Sequence, residues 1–148
     1  MLVARSSVMR RGAARRVVGG VVVGLAVAGL AACSGVQGSS PTPSWFADRE
    51  PLSPCGSVTS APGSDGALPA DALACLAAGA HDGAELTVGS YITEGDLIVS
   101  YYRVGPGIDG IEVITDATRD AFGPREWRLD RCPDATSVTD LGTCAPAG

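Results

Sequence analysis

The chain changes its hydrophobic rhythm three times. From Val17 to Ala32 every residue is apolar or small, and no acidic residue stands among the first 32. Sixteen helical residues reach about 24 Å, short of a ~30 Å hydrocarbon layer. Residues 34–54 then carry four prolines and five serines. That composition cannot bury a core and reads as a tether. Within it, Trp45 and Phe46 are expected to dock on the domain, stay unordered, or touch a membrane interface or partner. From Pro69 the period becomes helical, with Leu73, Leu76, Ala77 and Ala80 on one face and Asp71 at the positive helix end.

Four strand-like runs follow, at 85–92, 97–104, 111–116 and 125–132. In the last, Trp127 and Leu129 alternate with Arg128 and Asp130. The connections "TEGD", "GPGIDG" and "DATRDAFGP" are short and turn-rich, which favours hairpins. The pattern predicts an α+β domain over 55–148. One N-terminal helix covers a four-stranded antiparallel meander sheet and leaves the other sheet face wet.

The front end gives the expected address. Arg5, Arg10, Arg11, Arg15 and Arg16 precede the apolar run, as in a secretory signal, and leave the general and twin-arginine export routes both open. The run ends in Leu30, Ala31, Ala32 and Cys33. This resembles the lipobox of bacterial lipoproteins, which implies cleavage after residue 32 and a diacylglycerol thioether on Cys33. A cleaved signal leaves no anchor of its own, whereas acyl chains contribute roughly 0.8 kcal/mol per buried CH₂. The expected location is the extracytoplasmic face of the cell membrane, with the lipid holding the protein there.

Charge and cysteines sharpen this picture. The 116 residues from Cys33 onward hold six arginines, no lysine and sixteen acidic groups, a net charge of −10. A surface so anionic argues against nucleic acid and against electrostatic adhesion to anionic lipid. Cys55, Cys75, Cys132 and Cys144 make an even set in an exported domain. They allow three pairings. The expected one is Cys55–Cys75 with Cys132–Cys144, each closing a local loop. Metal ligation is not expected: there is no CxxC pair, and His81, the single histidine, sits at the helix end.

The segment 85–132 carries Glu94-Gly95-Asp96, then Asp116, Thr118, Arg119, Asp120, Phe122 and Gly123, then Cys132. This resembles a family of small Gram-positive lipoproteins with an EGD turn and a DxTRDxFG segment. Leu97 departs from the proline of that pattern. The resemblance implies an extracytoplasmic lipoprotein head, and it implies no activity, since the family has none assigned. From the residues themselves, Gly95 suits a hairpin turn. Asp116 or Thr118 can cap a helical turn that Gly123 ends, Arg119 can pair with Asp116 or Asp120, and Phe122 can pack on the sheet edge.

No nucleophile, base or phosphate-cradling loop stands in a catalytic setting, so no enzyme activity and no cofactor are expected. Tyr102, Arg103, Asp116, Arg119 and Asp120 are the candidate binding residues, because aromatics with arginine dominate recognition surfaces. The expectation is a non-enzymatic binding module for an envelope protein or glycan. The alternative is an inhibitor of an extracellular hydrolase that inserts "GPGIDG" or "DATRDAFG" into a cleft.

Overall fold

The computed structural model describes residues 40–64 and 66–147. The signal segment and Cys33 lie outside the described residues. No helix among the described residues is long and apolar enough to cross a membrane.

The elements run α1 (Ser44–Ala47), β1 (Ser53–Thr59), α2 (Ala70–Ala78), β2 (Ala84–Tyr91), β3 (Leu97–Val104), β4 (Ile111–Asp116), β5 (Trp127–Cys132) and β6 (Ala145–Pro146). The fold is α+β, and the sheet is antiparallel from β2 to β6, as the hairpin spacing requires. It has six strands rather than four, in the order β1-β2-β3-β4-β5-β6. The helix is not the first element: β1 precedes α2 and pairs parallel to β2, so β1-α2-β2 is a crossover unit. β1 reads "SPCGSVT", with a proline, a glycine and no apolar alternation. It was therefore invisible as a strand. Its place comes from the register with β2 and from the cystine at its bulge, which lies between Pro54 and Ser57.

The disulfides are Cys55–Cys75 and Cys132–Cys144, the pairing expected from loop length. The first ties the β1 bulge to α2. The second ties the C-terminal segment to the end of β5, where Cys132 is fully buried.

Strand alternation decides which side chains form the core. Leu86 and Val88 of β2, Val104 of β3, Ile111 and Val113 of β4 and Cys132 of β5 share one face with Ala72 and Leu76 of α2. Ala77 and Ala80, expected on the buried helix face, are exposed. The helix is only 9 residues long and stops at Gly79, so Ala80 lies past its end.

The opposite sheet face is not left wet. The expected tether ran from 33 to 54, but from Pro43 onward the chain folds back onto the sheet as α1 and then enters β1. Phe46 is 8 % exposed, with its ring 4.3 Å from that of Trp127 and 4.8 Å from that of Tyr101. Ile114, on the same face, is 1 % exposed. A second small core thus sits under the N-terminal segment, and the sheet is the middle of three layers.

At the β3–β4 turn, Gly110 has φ +69°, and a Cβ there would overlap the Cys132 carbonyl oxygen. Gly107 in the same turn has φ +81° with open space around it. Gly110→Ala is expected to cost about 2–3 kcal/mol and Gly107→Ala about 1 kcal/mol, the left-handed backbone penalty alone. Urea unfolding midpoints of the two variants check the difference. Equal costs would show that the turn relaxes away from Cys132.

Candidate functional site

The second face carries an alternating row of charges. Glu85, Arg103 and Glu112 come from β2, β3 and β4, and their pairing register puts them side by side. Arg49, just after α1, completes the row. Its guanidinium grips the Glu85 carboxylate with both arms, Nε to Oε2 at 3.1 Å and Nη2 to Oε1 at 2.9 Å. Arg103 donates from Nη1 to Glu112 Oε1 at 2.6 Å and from Nη2 to the Glu50 carbonyl at 2.8 Å. Arg103 Nε lies 3.2 Å from Glu85 Oε2, close enough for ion pairing but without hydrogen-bond alignment. Arg131 reaches Glu112 only at 4.0 Å.

The row is bounded by aromatics. Arg49 lies over the Phe46 ring, 3.7 Å from its centroid, a cation–π contact. Trp45 meets Trp127 edge to face at 6.5 Å. Between these groups and β6 opens a cleft of about 540 Å³. Its aromatic walls are Trp45 and Trp127, Ile114 and Leu129 form part of its floor, and Arg103 and Glu112 supply charge. The indole Nε1 of Trp127 is buried and, among the described residues, has no hydrogen-bond acceptor. Such a donor is costly to leave unmet, and the cleft it lines is where an acceptor can reach it. A second hollow of about 300 Å³, between α2 and Val138, is lined without any charged group.

The five candidate residues do not form one patch. Tyr102 and Arg103 are neighbours in β3 and so point to opposite faces; Tyr102 packs against the α2 core, and Arg103 lines the cleft. Asp116 accepts from the Thr118 amide at 3.0 Å and hydroxyl at 2.7 Å. Asp120 accepts from the Phe122 and Gly123 amides at 2.9 and 2.7 Å. These carboxylates shape the β4–β5 loop. The loop is a series of turns rather than a capped helical turn. Arg119 is exposed, and Phe122 projects into solvent instead of packing on the sheet edge. The EGD turn takes the expected hairpin form, with Gly95 at φ +90°.

Sequence reasoning missed Trp45, Arg49, Glu85, Glu112 and Trp127 as one site. Pairing register was the missing information: Glu85, Arg103 and Glu112 are ordinary alternating polar positions until the strands are aligned.

Burial raises the hydroxyl pKa of Tyr101 above 10.0, with Asp116 adding to the rise and Arg49 opposing it. Burial likewise raises that of Tyr102, with the Ser100 hydrogen bond opposing. The folded state thus holds both phenols protonated more firmly than the unfolded chain does. Their contribution to stability is full below about pH 10 and is lost as pH rises through the raised folded values. Tyrosinate absorbance should therefore develop at more alkaline pH in the folded protein than in denaturant. Coincident curves would show that both rings are solvated.

The chain matches no known protein family, no curated protein and no solved structure.

Proposed function

We propose that this is a lipid-anchored envelope protein whose head is a non-catalytic binding module, with the Trp45–Trp127 cleft as its ligand site and a cell-envelope glycan as its ligand. The observation that carries the reading is the unmet Trp127 indole N–H in a cleft walled by two tryptophans. Sugar rings present an apolar face to stack on indole and hydroxyl oxygens to accept such a donor. The charged row beside it is already paired internally. It offers the planar hydrogen-bonding edges of arginine and glutamate without reorganising on binding, as a preformed site requires.

Both tryptophans of the chain border the cleft, so intrinsic fluorescence reports on it directly. Titration with soluble cell-wall glycan fragments is expected to give a saturable change. Trp127→Phe keeps the ring and removes only the N–H, and it should weaken binding by about 2- to 10-fold, the worth of one hydrogen bond. No saturable change at millimolar fragment, or an unweakened Trp127→Phe, would overturn the reading.

The anchor is tested separately. Cys33→Ala should release the protein or leave its signal uncut, and continued acyl labelling of that variant would refute lipidation at Cys33. A hydrolase inhibitor would have to present Phe122, the large apolar side chain most open to solvent. That loop lies at the end where the chain arrives from Cys33, the least accessible end for a soluble enzyme.

A further inference from the structure

The large apolar side chains left exposed among the described residues are Trp45, Tyr91 and Phe122, at 44, 40 and 77 %. All three lie at one end of the sheet. Tyr91 pairs with Leu97 at the closed end of the β2–β3 hairpin. Asp116 pairs with Trp127 where the β4–β5 loop begins, and Trp45 stands beside Trp127. The Ala121 amide donates to the Asp96 carboxylate at 2.8 Å, joining the Phe122 loop to the β2–β3 turn.

The Phe122 loop is held from within. Asp120 accepts from the two amides that follow it in the loop, and Arg125 donates from Nε to the Asp120 carbonyl at 3.0 Å. Its aromatic side chain is therefore presented on an ordered support.

The chain enters at this same end. The Ser40 hydroxyl donates to the Arg125 carbonyl at 2.6 Å. Seven residues separate Cys33 from Ser40, so even fully extended they reach only about 25 Å.

We propose that this end is a membrane-contact surface: Phe122, Tyr91 and Trp45 enter the boundary between headgroups and acyl chains of the bilayer that holds Cys33. The inference rests on the lipid-anchor reading. Aromatic rings favour that boundary, where an apolar body and a polar tip are both accommodated. A short tether makes the contact intramolecular, so an interaction too weak to recruit a free protein suffices to orient an anchored one. Apolar insertion drives it. Charge does not, since the module carries −10 and the carboxylates of Asp96 and Asp120 are taken up by loop amides. The glycan cleft then starts near the bilayer at Trp45 and Trp127 and runs away from it toward Arg103 and Glu112.

The test uses the native lipoprotein in vesicles of phosphatidylcholine and phosphatidylglycerol with brominated acyl chains, which quench nearby indoles. Phe122→Trp adds a reporter at the proposed contact. Pro106→Trp adds one at the β3–β4 turn, at the opposite end; both positions are exposed, so neither disturbs the core. The indole at 122 should be quenched at least about 3-fold more than that at 106, with no other protein present. Intact mass of the same sample reports the acyl chains. Acyl chains present with both indoles unquenched, or both equally quenched, overturn the membrane contact and leave the anchor standing. A native protein without acyl chains overturns both.

Discussion

Arg103→Ala is expected to destabilise the domain by about 3–5 kcal/mol, the cost of breaking a buried ion pair from one side. The Arg103 side chain is 10 % exposed and that of Glu112 only 12 %. Without Arg103, Glu112 keeps only Arg131, at 4.0 Å and with a side chain 65 % exposed. Glu85 is spared, because Arg49 holds it with two hydrogen bonds. The Glu50 carbonyl also loses its donor. The double variant Arg103→Met/Glu112→Leu removes both charges together and should recover most of the loss, since apolar groups of similar volume replace a buried pair at little cost. Urea unfolding of parent, single and double variants decides the matter. A single variant within about 1 kcal/mol of the parent would show that water reaches the row and screens it. The stable double variant should nonetheless bind glycan fragments poorly, because the cleft has lost its charged wall.

Reducing both disulfides is expected to unfold the domain. Their sequence separations are 20 and 12, and loop-closure entropy assigns each about 3 kcal/mol. The total, about 6 kcal/mol, compares with a stability of roughly 5–15 kcal/mol for a domain near this size. The two bonds are not equivalent. Cys132 is fully buried in the α2-facing core, so Cys132→Ser also buries a hydroxyl and should cost more than Cys55→Ala. The check is near-ultraviolet circular dichroism and thermal melting with and without reductant. A cooperative melt unchanged by reductant would mean that hydrophobic burial alone sustains the fold.

Expectation and structure part company at particular residues. The strands at 97–104 and 111–116 were legible to the residue, because alternating apolar positions bounded by glycine-rich turns report directly on a half-buried strand. β1 was not legible: "SPCGSVT" carries no alternation, and its partner β2 lies beyond a whole helix. α1 was hidden for a related reason. Four residues among prolines have no helical period, and Phe46 becomes core only because Tyr101 and Trp127 offer it a surface. Of the cleft, only Arg103 was anticipated as a binding residue.

What the sequence by itself determined is the α+β class, the antiparallel run from β2 to β5, the helix beginning after Pro69 and the pairing of the cysteines. All of these follow from contacts near in the chain: hairpin turns, helical spacing and short cystine loops. Only the tertiary structure decided that the N-terminal segment closes over the second sheet face, that Glu85, Arg103 and Glu112 form one row, and that three exposed aromatics gather where the chain enters. Those features join residues far apart in sequence. Their placement follows from strand register and from which face each side chain takes, and no local pattern encodes either.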